Sequence, residues 1–116
     1  ERPIIYGDGQ KRRDFIYIDD VNRFHELLIK NKSVTEGTYN VGSGLNYSVM
    51  EVYKIIRKLV KTEIIPKHKP DLPGEAFQNL ADISNARVLG WDPQVNLEEG
   101  LKLSINYIRK NVMSTI

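Results

Sequence analysis

The sequence contains no cysteine, which excludes disulfide scaffolds, cysteine-based zinc sites and cysteine nucleophiles. It also lacks a long apolar run, because the longest one, residues 15–18, falls far short of the roughly 20 residues that cross a bilayer. No basic and then apolar leader opens the chain, so we expect a cytoplasmic protein without a membrane partner. The first residue is Glu1 rather than methionine, and we therefore expect a piece of a longer polypeptide.

The composition of the chain is that of a folded protein. Apolar residues make up 41% and charged residues 28% of the 116 positions, which argues against disorder and allows one domain of ordinary size. The 17 Lys and Arg side chains exceed the 15 Asp and Glu side chains by little, which gives a formal net charge of +2. This bias is too mild to indicate a nucleic-acid partner, and we expect none.

Strand and helix patterns alternate along the chain. Short β-branched or aromatic runs predict strands over residues 3–6, 13–18, 37–41 and 63–66. Apolar residues at helical spacing predict helices that begin near Asp20, Ser48, Asp82 and Asn96. The order strand, strand, helix, strand, helix, strand, helix, helix is an α/β or α+β pattern.

The clearest local signal is the start of the second helix. Ser48 and Glu51 have the spacing of a capping box, in which each side chain accepts a hydrogen bond from the backbone N–H of the other residue. Asn96 and Glu99 repeat this cap-plus-carboxylate spacing at the last helix. We therefore predict side-chain caps at both helices.

No constellation typical of nucleophilic or metal catalysis is present. The two histidines do not share a helical face, and no Gly-x-Ser-x-Gly elbow presents a serine. We interpret His25 as a packed or surface residue of a helix, and we place His68 in a lysine-rich loop, with a ligand contact as the alternative. Asp19 and Asp20 precede a helix, and we expect one of them to cap it rather than to bind a cation.

Two Gly-x-Gly loops occur, at residues 7–9 and 42–44. Neither completes a dinucleotide fingerprint, since the third glycine would fall at Arg12 and at Tyr47. The second loop follows a predicted strand and precedes a helix, so its backbone can approach an anion. A plain strand-to-helix turn is the interpretation that we favour for it.

Arg13 is the cation that the residues themselves single out. It begins a predicted strand and can therefore be held rigidly. Its planar guanidinium offers a fork that suits two phosphate oxygens. Chemistry alone leaves a structural and a functional role for Arg13 equally open.

Several ordered motifs resemble those of a known family. Residues 3–21 resemble the opening of the C-terminal part of extended short-chain dehydrogenase/reductase proteins, the NAD-dependent nucleotide-sugar epimerases and dehydratases. Residues 39–44, Tyr-Asn-Val-Gly-Ser-Gly, resemble the next signature of this family. Its closing segments follow in order at residues 72–75, 81–86, 89–93 and 98–101.

The resemblance implies an α/β fold: residues 1–116 would be the C-terminal substrate-binding portion of a Rossmann-type protein, with short strands and about four helices. The NAD-binding Rossmann domain would lie upstream and be absent from this chain. The implied activity is that of a UDP-glucose 4-epimerase-like enzyme, which oxidises the sugar C4 transiently with NAD. The implied partners are a nucleotide-diphosphate sugar, the upstream domain and a second copy in a homodimer.

Substrate residues are also implied by the resemblance. In the family, the arginine at the position of Arg13 binds the diphosphate of the nucleotide sugar, and the asparagine at the position of Asn40 lies near the same phosphates. The catalytic Tyr-x-x-x-Lys and the Gly-x-x-Gly-x-x-Gly cofactor loop are absent from this sequence. We therefore predict no catalytic, cofactor-binding or metal-binding residue in this chain, and no turnover by the chain alone.

One departure concerns the substrate site. The family often has Arg-Pro-Gly-Asp where this chain reads Leu72-Pro73-Gly74-Glu75, so a second diphosphate arginine is missing at Leu72. Lys67 or Lys69 can substitute from the same loop, although a lysine is a more flexible point charge. With Arg13 and Asn40, the predicted substrate residues are Lys69, Leu72 and Glu75.

Three alternatives to an epimerase stay open at this stage. The first is a nucleotide-sugar 4,6-dehydratase, and the second is a non-catalytic module that binds nucleotide sugars or another protein. The third, a small nucleic-acid-binding domain, depends only on the basic clusters and predicts binding that weakens steeply with salt.

Overall fold

The structure is a computed structural model that describes residues 1–34 and 36–113. Its strands are Ile4–Tyr6 (β1), Arg12–Asp14 (β2), Asn46–Ser48 (β3) and Lys67–Lys69 (β4). Its helices are Ile18–Lys30 (α1), Val49–Val60 (α2), Ser84–Val88 (α3) and Leu97–Asn111 (α4). The succession of strands and helices is the predicted one. Within this described part, no helix has the length and apolar character to cross a membrane.

The chain divides into two compact units, and each is discontinuous in sequence. The first unit combines Glu1–Arg13 with Asn46–Asn79, and the second combines Asp14–Leu45 with the residues from Leu80 onward. The first therefore holds β1, β3, β4, α2 and most of β2, whereas the second holds α1, α3 and α4. One of these boundaries falls inside β2, and no change of composition marks it.

Strands and one helix make up the first unit. β1 pairs in parallel with β4, in a register that places Ile5 opposite His68, and β2 pairs with β3. Ile5 is 6% exposed and supplies the buried apolar side chain of β1. The N–H groups of Val49 and Met50 donate to the carbonyls of Lys11 and Gly9, which ties the first turn of α2 to the segment before β2.

The predicted capping box at α2 is confirmed. The Ser48 hydroxyl accepts from the Glu51 N–H at 3.0 Å, and the Glu51 carboxylate accepts from the Ser48 N–H at 2.6 Å. The Ser48 N–H bond and the Ser48 hydroxyl lower the pKa of Glu51, because they favour the ionised form. The helix ends at Lys61, whose φ of 55° is left-handed.

An aromatic core holds the second unit together. Phe24, Ile83, Ala86 and Trp91 are buried in contact with one another, and partly buried residues of α1 and the flanking segments pack against them. The Phe24 and Trp91 rings meet edge to face with centroids 5.7 Å apart, a favoured aromatic geometry. At α4 the predicted Asn96 cap is confirmed, since its side chain accepts from the Glu99 N–H at 2.9 Å.

Three strand predictions and one helix boundary are corrected by the structure. The stretch 13–18 is not one strand, because β2 ends at Asp14 and α1 begins at Ile18. No strand is found in residues 37–41 or 63–66, and the third and fourth strands lie at residues 46–48 and 67–69 instead. The third helix begins at Ser84, two residues after the predicted start at Asp82, and covers Ser84–Val88. His68 consequently lies on a strand and not in a loop.

The prediction that Asp19 or Asp20 caps α1 is wrong. The residue at the cap position is Tyr17, whose side chain makes no capping bond. Asp20 is instead turned inward and is only 1% exposed. Its carboxylate accepts from the N–H groups of Gln94 at 3.1 Å and Val95 at 3.0 Å, while its carbonyl accepts from the Trp91 indole at 2.9 Å.

Candidate functional site

The candidate site in the first unit is a cluster of charged side chains around β2. We call Lys11, Arg13, Asp71 and Glu75 the β2 charge cluster. Lys11 and Arg13 flank Arg12, whose main chain is hydrogen-bonded through both of its polar groups. The Arg12 N–H donates to the Phe77 carbonyl at 2.9 Å, and the Arg12 carbonyl accepts from the Asn79 N–H at 3.2 Å. These bonds hold the backbone that carries the two cations.

Both cations of the cluster converge on one carboxylate. Lys11 Nζ lies 2.6 Å from Glu75 Oε2 and also pairs with Asp71, and Arg13 Nη2 lies 3.6 Å from Glu75 Oε1. The hydrogen bonds that Lys11 donates to Asp71 and Glu75 raise the pKa of Lys11, because they favour its ammonium form. The arrangement can therefore hold one anionic group between an ammonium and a guanidinium.

Arg12, which lies between these two cations in sequence, has a different role. Its Nε and Nη2 donate to the side-chain and main-chain oxygens of Asn46, each at 2.9 Å, and its Nη1 lies 3.1 Å from Glu51. The guanidinium thus joins β2 to β3 and to the start of α2. We assign Arg12 to the framework rather than to the ligand site.

The structure brings only some of the predicted substrate residues together. Arg13 and Glu75 form an ion pair, while Lys69 on β4 and Leu72 are exposed and take no part in that ion pair. Asn40 belongs to the second unit, where it is exposed. Lys11 was not predicted; the signal that could have found it is its place in the same Lys-Arg-Arg run as Arg13.

A second polar centre lies in the second unit, and the sequence analysis missed it. Asp14 Oδ1 accepts from the Ser43 N–H at 2.7 Å and from its hydroxyl at 2.6 Å, while Oδ2 accepts from the Gly44 N–H at 3.0 Å. A Cβ on Gly42 would stand 2.7 Å from Asp14 Oδ2 and 2.6 Å from the Ala81 Cβ. Gly42 is therefore required because side chains crowd its Cα, and not because of its backbone angles.

The Asp14 bonds decide what the Gly-x-Gly loop at residues 42–44 can do. The N–H groups of Ser43 and Gly44 are bonded to a carboxylate of the chain itself. A loop in this state does not cradle the diphosphate of a dinucleotide, which would need those donors. Together with the missing fingerprint, this shows that the loop does not fit NAD, and we assign no step of NAD chemistry to it. Within the described residues, no group of three or more potential metal ligands is found.

The ordered motifs of the sequence are matched by a family comparison. A model of the GDP-mannose 4,6-dehydratase family matches residues 1–104. The chain belongs to this family. The resemblance to the C-terminal part of extended short-chain dehydrogenase/reductase proteins is thereby confirmed.

The individual relatives that the chain matches include nucleotide-sugar epimerases. The UDP-glucuronate 4-epimerase of Thermodesulfobacterium geofontis is 36% identical over 119 residues, which cover 97% of this chain and 35% of that protein. The chain thus spans about a third of the length of the curated relatives that it matches.

Solved structures give the same result for the fold. The UDP-glucose 4-epimerase of Thermotoga maritima with UDP-glucose superposes with a TM-score of 0.87 at 34% identity, over 97% of this chain and 36% of that one. The UDP-glucuronic acid 4-epimerase of Bacillus cereus with UDP-glucuronic acid and NAD gives 0.86 at 32%, over 93% and 35%. The predicted α/β fold class of a Rossmann-type protein is confirmed by these neighbours.

Proposed function

We propose that this chain is the nucleotide-sugar-binding part of an NAD-dependent nucleotide-sugar 4-epimerase. The observation that carries the proposal is its similarity, over nearly its whole length, to 4-epimerases whose structures contain UDP-sugars. The chain itself contributes no residues of the redox step, because it has neither the cofactor loop nor the Tyr-x-x-x-Lys motif. The intact protein would be the enzyme, and this chain alone would be inactive.

Arg13 is the residue through which we propose that the chain acts. Its side chain is 25% exposed, and a hydrogen bond from its Nη1 to the Arg12 carbonyl at 2.8 Å helps to orient it. Holding the diphosphate, which is remote from the reacting sugar carbon, would supply binding energy that keeps the sugar in place for reaction. Asn40, Lys69, Leu72 and Glu75 stay predicted substrate residues on the strength of the resemblance.

The exposed apolar side chains support a further domain as partner. In the first unit Ile65 is 65% and Phe77 is 63% exposed, and in the second unit Ile29 is 82% and Val88 is 85% exposed. Exposed apolar side chains contribute to an interface with other polypeptide where they form a contiguous patch. An upstream Rossmann domain is the partner that we propose for them, and the predicted homodimer and cytoplasmic location stay predictions.

The test is an assay of the full-length protein with a panel of UDP-, dTDP-, GDP- and CDP-sugars. We expect interconversion of C4 epimers by the intact protein and none by residues 1–116 alone. A dehydrated ketosugar product would support the 4,6-dehydratase alternative. Absence of any nucleotide-sugar binding would contradict the proposal and favour the non-catalytic, protein-binding alternative.

Arg13→Ala tests the residue at the centre of the proposal. The variant should weaken UDP-sugar binding by about 1.5–3 kcal/mol, the range for a hydrogen bond to a charged group. Titration calorimetry on the full-length protein measures this loss, and Arg109→Ala, an exposed arginine of α4, is the matched control. Equal affinities of Arg13→Ala and the wild type would remove Arg13 from the site.

A further inference from the structure

The β2 charge cluster has a fixed half and an exposed half. The cation side chains are only 13% (Lys11) and 25% (Arg13) exposed, whereas the carboxylates are 56% (Asp71) and 41% (Glu75) exposed. The cations stand on backbone that is bonded to α2 and to residues 77–79. The carboxylates belong to residues 71–75, which are exposed throughout and carry no helix or strand. A competing anion would therefore displace the carboxylates rather than the cations.

Glu75 marks the position that such an anion would take. One of its oxygens lies 2.6 Å from Lys11 Nζ, and the other lies 3.6 Å from Arg13 Nη2. A diphosphate also offers neighbouring anionic oxygens, and it carries more charge than one carboxylate. It can thus replace Glu75 between the same two cations.

The same geometry identifies the second cation of the site. Leu72 stands where the family often has an arginine, and Lys67 or Lys69 was the predicted substitute. Lys69 is exposed on β4, and its carbonyl accepts from the Gly7 N–H at 2.9 Å. Lys11, in contrast, already shares an anionic partner with Arg13. This shared partner favours Lys11 over Lys69 as the second cation.

We propose that Lys11 and Arg13 together bind the diphosphate of the substrate, and that Glu75 occupies their site until the diphosphate displaces it. This inference rests on the proposed function, since it names a further binding residue of the same site. Lys11 is the residue that determines how strongly the diphosphate is held in the absence of a second arginine. Glu75 competes with the ligand for the two cations, so a ligand must carry more negative charge than one carboxylate in order to displace it.

Inorganic pyrophosphate is the probe that tests the pair of cations, because it lacks the base, ribose and sugar. Calorimetric titration of the full-length protein should show binding about tenfold weaker in Lys11→Gln than in the wild type. Lys54→Gln, which removes an exposed lysine of α2, should stay within about twofold of the wild type. Lys11→Arg keeps the charge and should retain binding. Equal affinity of Lys11→Gln and the wild type would overturn the role of Lys11.

Glu75→Gln tests the competition. Loss of the carboxylate should tighten pyrophosphate binding by about threefold, the size expected for release of a partly exposed ion pair. Unchanged or weaker pyrophosphate binding in this variant would overturn the displacement. Failure of the proposed function would look different, because the wild type itself would then bind neither UDP-glucose nor pyrophosphate.

Discussion

Asp20 carries a charge on a side chain that is almost completely buried. Burial disfavours its ionised form, but the Val95 N–H, the Arg23 guanidinium and the Gln94 N–H outweigh burial and lower the pKa of this carboxyl below its ordinary value. The carboxylate thereby joins the first turn of α1 to residues 94 and 95. In the sequence Asp20 resembles a helix cap, whereas in the folded protein it joins two segments that are far apart in sequence. We call this set of hydrogen bonds the clamp.

The lowered pKa of Asp20 predicts the sign of a pH dependence. Its contribution to the free energy of unfolding is complete above the ordinary carboxyl pKa of about 4 and is lost as the pH falls through the lowered folded-state pKa. Asp20→Asn should lower the free energy of unfolding by about 2–4 kcal/mol at neutral pH, because the buried donors around residue 20 would then face a neutral amide instead of a carboxylate. Urea unfolding at about pH 7 and about pH 3.5 should show a flatter pH profile in the variant.

The control for this measurement is Asp19→Asn. Asp19 lies in the same helical turn but is exposed, so its loss should change the free energy of unfolding by less than about 1 kcal/mol. A steep loss of stability in both variants would show that the charge near the N-terminus of α1 matters rather than the clamp.

The positions of some elements depend on hydrogen bonds between residues that are close in sequence, and the positions of others depend on the segment that they pair with. α2 and α4 begin at the predicted caps, since the capping side chain and the backbone N–H that donates to it lie three residues apart in sequence. The strands are only three residues long, and their positions depend on which segment lies alongside. Residues 46–48 form β3 because they pair with β2, which no pattern in those residues indicates.

Ser48→Ala tests how much the local cap contributes to α2. The variant loses the acceptor for the Glu51 N–H, and we expect a loss of about 1–2 kcal/mol in the free energy of unfolding. Chemical denaturation measures it, with Thr38→Ala as a control at an exposed hydroxyl. An equal, small effect of the two variants would mean that packing alone fixes the start of the helix.

At the scale of the whole molecule, residues far apart in sequence determine both units. In the first unit, Lys11 and Glu75 meet across 64 positions, and in the second, Asp14 accepts from Ser43 across 29 positions. In the second unit the signature motifs at residues 14, 42–44 and 81 thus hold one another in place. The family motifs of that unit have a structural explanation besides any contact with substrate.

Gly42→Ala tests this convergence. The added methyl group would overlap the Ala81 Cβ and the Asp14 carboxylate, and we expect a loss of about 2 kcal/mol from overpacking. Gly100→Ala is the matched control, since its Cβ would meet Tyr17 at an ordinary 3.4 Å. Inside α4 that alanine should gain about 0.5–1 kcal/mol. Thermal unfolding compares the two; equal midpoints would contradict the crowding at Gly42.

For the site, the sequence alone indicated Arg13, because a guanidinium beside a strand start is a recognisable anion fork and the motif around it is specific. It did not indicate Lys11 or the pairing of Lys11 with Glu75. Both depend on residues 71–75 lying against the segment before β2, a contact that no spacing within either segment encodes. The Gly-x-Gly loop was ambiguous for the same reason, since its bound carboxylate comes from Asp14.

The amino-acid sequence was sufficient to identify the family, the order of strands and helices, and the helix starts whose caps lie three residues from their partners. It could do so because these features depend on local backbone chemistry or on ordered motifs. Only the folded chain shows where β3 and β4 lie, that Asp20 is a buried clamp, and that Lys11 and Arg13 share Glu75. Those outcomes depend on hydrogen bonds and ion pairs between segments that meet only when the chain folds.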